Sequence, residues 1–109
     1  MPTIYKVLGQ SAPSATTATT LYTVPSVTDT IVSTINVANT GANQDTIRIA
    51  IRPAGATLAT QHYIAYGVPL ASGAVLTFTI GATLDTTDVV TVYSTTGTSS
   101  FSAFGSEIS

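Results

Sequence analysis

Charge is what this sequence lacks most. Charged residues make up 7% of the 109 residues, whereas about 25% is typical of globular proteins. The net charge is −2, and the only cationic side chains are Lys6, Arg48 and Arg52. So few cations form no basic patch, which argues against a nucleic-acid partner. Because a free-standing protein normally keeps a well-charged surface, we expect other subunits to cover much of this one.

Cysteine is also absent, and this excludes disulfides and thiolate metal sites. No apolar run approaches the ~20 residues of a membrane span. The opening MPTIYKVLGQ lacks the charged-then-apolar order of a signal peptide. We therefore predict synthesis in a cytoplasm, with no membrane partner.

Material for catalysis is equally scarce. The single histidine is His62, and the sequence has no G-x-S-x-G motif that would supply a nucleophile for it. We therefore favour a histidine on a strand face beside Tyr63 over a catalytic base. The carboxylates of LDTTD, Asp85 and Asp88, suggest a hydrogen-bonded turn more than a weak Ca²⁺ site. We predict no catalytic residues, no cofactor and no metal: the protein is not an enzyme.

What the sequence does contain is a strand pattern. Threonine is about a fifth of the chain, and its branched Cβ favours strands. In DTIRIAIRP, residues 45–53, three isoleucines face inward and alternate with outward residues that include Arg48 and Arg52. In residues 29–39, Ile31, Ser33, Ile35 and Val37 are predicted to share one face. No segment shows a helical apolar stripe.

These patterns predict an all-β fold, an antiparallel β-sandwich of about eight strands, either immunoglobulin-like or a jelly roll. We expect one domain over residues 1–109, with residues 10–20 a small-residue loop or an arm that pairs with a neighbour's sheet edge. Two hairpins are predicted, across TGANQ (40–44) and across TTGTS (95–99). The predicted strands are 3–8, 21–24, 29–39, 45–53, 61–66, 74–80, 89–94 and 99–108.

Four side chains are candidate interface residues. Arg48 and Arg52 share a strand face about 13 Å apart, so they act as separate anchors. An arginine fork suits a carboxylate, and one hypothesis is that at least one arginine pairs with a neighbouring chain. The alternative is an intramolecular or solvated arginine. Tyr63 and Tyr66 lie near a turn and are the other two candidates. The carboxylates available to the arginines are Asp29, Asp45, Asp85, Asp88 and Glu107.

Five short motifs, in this order and spacing, resemble a family of small virion proteins of tailed bacteriophages. The resemblance runs from about Tyr5 to Ile108. The motifs are YTVP (22–25), VANTG (37–41), RPAG (52–55), DVVTV (88–92) and GSEI (105–108).

The resemblance implies a non-enzymatic virion structural protein. Its first expectation is a capsid decoration (cement) protein that bridges capsomers, as a homotrimer bound to the major capsid protein or other virion proteins. The alternative is a tail, baseplate or fibre-associated β-domain that mediates assembly or binds host-surface glycans. Either implies residence in the virion after synthesis in the host bacterial cytoplasm.

Overall fold

A computed structural model describes residues 2–109 and consists of eight strands in two antiparallel four-stranded sheets. The predicted all-β sandwich is therefore confirmed. Two short 3₁₀ turns, Pro53–Gly55 and Thr60–His62, lie between the fourth and fifth strands. Among residues 2–109, no helix is long and apolar enough to cross a membrane. The strands are β1 (Thr3–Ser11), β2 (Thr19–Thr23), β3 (Asp29–Asn39), β4 (Asp45–Arg52), β5 (Tyr63–Leu70), β6 (Val75–Leu84), β7 (Val89–Ser94) and β8 (Ser99–Ile108).

The strand order decides between the two sandwich types. One sheet has the order β1-β8-β3-β6 and the other β2-β7-β4-β5. Each early strand therefore pairs with a late one: β1 with β8, β2 with β7, β3 with β6 and β4 with β5. This nesting is a long hairpin rolled into two sheets, which is the jelly roll. An immunoglobulin-like sandwich instead keeps several consecutive strands side by side in one sheet.

Both predicted hairpins are wrong. Strand β3 pairs with β6 and β8, whereas β4 pairs with β5 and β7, so residues 40–44 cross from one sheet to the other. Residues 95–98 likewise carry the chain from β7 across to β8. Glycine and asparagine reverse the chain in either setting, so turn composition does not distinguish a hairpin from a corner between sheets.

A buried carboxylate holds the two corners together. Asp45 is 1% exposed, and its Oδ1 accepts the amide hydrogens of Thr46 at 2.8 Å and Thr96 at 2.9 Å. Its Oδ2 accepts the hydroxyls of Ser94 and Ser99. Burial acts to raise the pKa of Asp45, but these hydrogen bonds outweigh it and hold the pKa below its ordinary value. Asp45 is thus a structural group that joins β4 to the β7–β8 corner.

The alternation predicted for β4 is largely confirmed. Ile47 and Ile49 are fully buried between the sheets, while Arg48 and Arg52 lie half-buried on the outer face. The exception is Ala50, whose place in the alternation predicts the outer face but which is buried. Ala50 pairs with Tyr63 of β5.

The face assignment for β3 is wrong in its first half. Ile31 is exposed and Val32 is buried, yet further along the strand Ile35 and Val37 are buried as predicted. The register shifts around Ser33 against both neighbouring strands, so this residue forms a β-bulge. An extra residue moves every later side chain to the opposite face, which places Ile31 on the outside.

Residues 10–20 contribute to both β1 and β2 at their ends. Between the strands, Ala15 forms a parallel bridge to Ser94, and the Thr16 amide donates to the Ser94 carbonyl at 2.9 Å. The segment therefore lies against its own β7. Its proposed role as an arm toward a neighbouring chain stays a prediction.

Candidate functional site

Arg48 is the centre of the most distinctive surface feature of the molecule. In register across three strands, it lies between Tyr66 of β5 and Tyr93 of β7. Its Cζ atom is 4.3 Å from the Tyr66 ring centroid and 4.2 Å from that of Tyr93. Both distances are within the range of cation–π attraction. The two rings therefore hold the guanidinium in place on the outer face of the β2-β7-β4-β5 sheet.

Tyr63 extends this arrangement, because its ring packs edge-to-face against Tyr66 with 4.9 Å between centroids. We call Arg48, Tyr63, Tyr66 and Tyr93 the arginine–tyrosine cluster. Tyr66 is its most open member, at 62% exposure. A groove of about 470 Å³ borders the cluster. Its lining residues are Leu58, Ala59, Thr60, Tyr63 and Tyr66.

The hydrogen-bonding groups of Arg48 are unused within the described chain. Among residues 2–109 the only ion pair is between Lys6 and Glu107, and no side-chain hydrogen bond involves Arg48. In the described part of the chain, every buried side-chain nitrogen or oxygen has a hydrogen-bonding partner. Because the nitrogens of Arg48 have none, they are not buried and their N–H groups reach solvent. The cluster therefore presents a fixed guanidinium whose donors are free for a planar oxyanion.

Arg52 has a different role. Its Nε donates to the Thr91 hydroxyl at 3.0 Å, and its Nη1 donates to the carbonyls of Gly55 at 3.4 Å and Ala56 at 3.0 Å. These bonds fasten the loop after β4 to β7. The two arginines are thus separate, as predicted. In the part of the chain that the structure describes, neither contacts a carboxylate.

Four of the five carboxylates are engaged within the chain. Besides the buried Asp45, Asp88 accepts the amides of Ala54 at 2.8 Å and Asp85 at 2.9 Å. Asp85 accepts the Thr86 amide at 2.7 Å. These bonds form the hydrogen-bonded turn favoured from sequence. No group of three His, Cys, Asp or Glu side chains that could hold a metal occurs in residues 2–109.

Glu107 is the fourth engaged carboxylate and links the two sheets. It accepts the hydroxyl of Tyr22 from β2 and lies 3.4 Å from the Lys6 ammonium of β1. The Tyr22 oxygen is also 2.8 Å from the Thr30 hydroxyl. Burial, with the hydrogen bond to Glu107 as the next cause, raises the pKa of Tyr22 to about 12. This cluster is structural as well.

The remaining carboxylate, Asp29, is exposed at the start of β3. It forms no ion pair and no side-chain hydrogen bond to any of residues 2–109. Within that range, Arg48 and Asp29 are therefore the one cation and the one anion that have no hydrogen-bonding partner of their own.

The other sheet has an exposed apolar patch on its outer face, formed by Tyr5, Val7, Ile31 and Phe104. Tyr5 is 84% exposed and the other three lie between 37% and 48%. Register explains the grouping: Tyr5 and Ile31 both pair with Ser106, and Val7 pairs with Phe104. A shallow depression of about 470 Å³ lies among Tyr5, Ile31 and Phe104.

His62 is not on a strand face, contrary to prediction. It ends the second 3₁₀ turn, one residue before β5 begins, and it is buried. Its Nδ1 accepts the Ala59 amide at 3.0 Å. The histidine therefore shapes the loop that lines the groove.

Of the four candidate interface residues, the structure brings together Arg48, Tyr63 and Tyr66 and places Arg52 apart from them. Sequence reasoning missed Tyr93 and Tyr5. Tyr93 occupies the outward position of an alternating strand, a signal that becomes useful only when β7 is known to neighbour β4. Tyr5 becomes part of a patch only because the β3 bulge turns Ile31 outward.

No protein-family model matches the sequence, and no curated protein matches it significantly. The resemblance to phage virion proteins therefore stays a prediction.

Proposed function

We propose that this chain is a non-enzymatic structural protein of a tailed-phage virion, most simply a capsid decoration protein that bridges capsomers. It acts by contact, as a ring of identical copies bound to the major capsid protein, a homotrimer being the preferred state. It is made in the cytoplasm of the host bacterium and resides in the virion. The motif resemblance supports this proposal, and so does the near absence of charge.

The observation that carries the proposal is the exposed apolar patch of Tyr5, Val7, Ile31 and Phe104. Tyrosine and phenylalanine are enriched at the buried centres of interfaces, where charged residues are depleted. The patch lies on a hydrogen-bonded sheet, so its backbone loses few degrees of freedom when it binds. The outer surface of a protein shell could bury this apolar patch in such an interface. The jelly roll itself is shared by capsid and lectin domains and supports the proposal only by analogy.

The test is attachment to purified shells that lack this protein. We expect the double substitution Tyr5→Ser, Phe104→Ser to weaken attachment at least tenfold, roughly the loss of one interface anchor. Val75→Ser is the matched control, because Val75 is an exposed apolar residue of the same sheet, outside the patch. Equal attachment of the wild type and the double variant would show that the patch is not the surface that binds the shell. Labelled copies seen only on tails would exclude the head location.

The groove beside the arginine–tyrosine cluster supports a second candidate, a tail or fibre β-domain that binds a host-surface glycan. Aromatic rings with a neighbouring hydroxyl, here Tyr63, Tyr66 and Thr60, can stack on a sugar and hydrogen-bond to it. A glycan array distinguishes this candidate. Binding that is lost in Tyr66→Ala and kept in Tyr5→Ala would favour it over capsid decoration.

A further inference from the structure

We infer that the arginine–tyrosine cluster of one copy of this chain binds a second copy, head to tail. The surface bound on the second copy is the turn before β3, with Val27 and Asp29. This inference rests on the proposed function in holding that the chain works through contacts between copies. It goes further by naming the two surfaces that meet.

Charge complementarity is the first reason. Within residues 2–109, Arg48 is the cation and Asp29 the anion that have no hydrogen-bonding partner in the chain. They cannot satisfy each other within one molecule, because Arg48 lies in the middle of β4 on one sheet and Asp29 begins β3 on the other. Between two molecules the contact is a guanidinium–carboxylate pair. The stacking of Arg48 between Tyr66 and Tyr93 reduces the side-chain entropy that such a pair would otherwise lose.

The turn before Asp29 is the second reason. Val27 is 87% exposed and adopts a positive φ of 52°. A β-branched residue is rarely found in that left-handed region, because its Cβ substituents clash with the backbone. The turn therefore maintains a strained, exposed apolar side chain, a feature typical of functional sites.

The residues that lead into this turn are also hydrogen-bonded to the neighbouring turn between β6 and β7. The Val24 amide donates to the Asp88 carbonyl at 2.9 Å, and the Thr87 amide donates to the Val24 carbonyl at 3.1 Å. The Thr86 hydroxyl donates to the Pro25 carbonyl at 2.9 Å. Val27 is thus presented on a turn that is fastened to its neighbour before any contact forms, which lowers the cost of association.

The spacing of the two surfaces agrees. Residues 27 and 29 are at most about 7 Å apart along the chain. On the receiving surface, Arg48 is 4.3 Å from the Tyr66 ring, and Tyr66 is 4.9 Å from Tyr63, which lines the groove. A Val27 side chain seated in the groove therefore leaves Asp29 within reach of Arg48. Because the two surfaces differ, the contact is heterologous and closes into a ring when the rotation permits.

The test is charge reversal followed by mixing, with mass measured by sedimentation up to about 1 mM, where even weak contacts are populated. We expect Asp29→Arg and Arg48→Asp each to raise the dissociation constant at least tenfold. An equimolar mixture of the two should associate again into pairs, because the Arg48 kept by one variant can meet the Asp29 kept by the other. A ring of three would still contain one contact between like charges, so renewed pairing, and not the wild-type mass, is the expected result. Gln44→Arg is the control and should associate like the wild type. Gln44 is exposed and lies in the loop after β3, at the other end of that strand from Asp29.

Val27→Asn separates association from folding. Asparagine tolerates a positive φ better than valine does, so this variant should unfold at the same or a higher temperature while its dissociation constant rises. A stable variant that associates normally would overturn the role of Val27. The whole inference is overturned if the wild type stays monomeric, if neither charge reversal weakens association, or if the mixture fails to restore it.

The two proposals can fail separately. A chain that is monomeric yet attaches to shells would overturn only the head-to-tail contact. A chain that associates through Arg48 and Asp29 but never attaches to a virion would overturn only the proposed function.

Discussion

Asp45 offers the sharpest test of how this jelly roll is held together. Its two carboxylate oxygens have different partners: Oδ1 accepts two backbone amides, and Oδ2 accepts the hydroxyls of Ser94 and Ser99. Both serines are fully buried. Asp45→Ala therefore leaves two buried hydroxyl donors without an acceptor. Each such group costs about 1–3 kcal/mol, so we expect the two together to lower the free energy of unfolding by roughly 2–6 kcal/mol, out of a total near 5–15 kcal/mol.

Asp45→Asn should be milder, because the amide oxygen keeps the Oδ1 contacts and the serine hydroxyls can rotate to accept from the new NH₂ group. We expect a cost of about 1–2 kcal/mol. Urea unfolding at neutral pH measures both variants, and the midpoint should fall with little change in slope. Asp29→Ala in dilute protein is the control, since an exposed, unbonded carboxylate should change stability by less than about 0.5 kcal/mol.

The pH dependence has a definite sign. The folded-state pKa of Asp45 lies below its ordinary value of 3.8. The ionised Asp45 carboxylate therefore contributes to the free energy of unfolding at pH values above 3.8. This contribution is lost as the pH falls through the lower folded-state pKa. Asp45→Asn lacks this dependence, so its deficit against the wild type should shrink under acid. An Asp45→Ala cost below about 1 kcal/mol, or equal costs for alanine and asparagine, would refute the bonding scheme.

Three further predictions concern other parts of the framework. The pKa of Tyr22 is raised from 10.0 to about 12. Its protonated hydroxyl therefore adds to the free energy of unfolding below pH 10, and this contribution is lost as the pH rises toward 12. In Tyr22→Phe, the free energy of unfolding should not show this fall at alkaline pH. Gly105→Ala should cost more than about 2 kcal/mol, since a Cβ there would lie 1.9 Å from the Ile31 carbonyl oxygen; thermal unfolding measures it, and a neutral result would exclude this close approach. Arg52→Met should lower the free energy of unfolding by about 1–2 kcal/mol, because it removes the bonds that hold the loop after β4. The oligomer mass should stay unchanged. A changed mass on sedimentation would show that Arg52 takes part in a contact between copies.

Periodicity predicted strands well, because alternation records the environment of each side chain along one strand. The isoleucines of β4 face the core as expected, and Phe101 is buried. Where a bulge interrupts the alternation, the same reasoning fails. Nothing local to Ser33 marks it as a bulge, because the register shift arises from pairing with β6 and β8.

The candidate site shows the same division. The sequence indicated that Arg48 is outward and that Tyr63 and Tyr66 lie near a turn. It did not indicate that Tyr93 would complete the stack, because Arg48 and Tyr93 are brought together only by the pairing of β4 with β7. Nor could it assign different roles to the two arginines, since the loop carbonyls and the Thr91 hydroxyl that engage Arg52 are placed by the fold.

Composition and alternation alone determined an all-β sandwich of about eight strands with few charged residues, because these properties depend on each residue and its near neighbours. Tertiary structure alone decided the rolled strand order, the two corners at Asp45, the apolar patch and the stacking of Arg48 between Tyr66 and Tyr93. Those features depend on which distant strands lie side by side. Hydrogen bonding between strands is chemically alike for every sequence, so that choice is made by the packing of the whole chain.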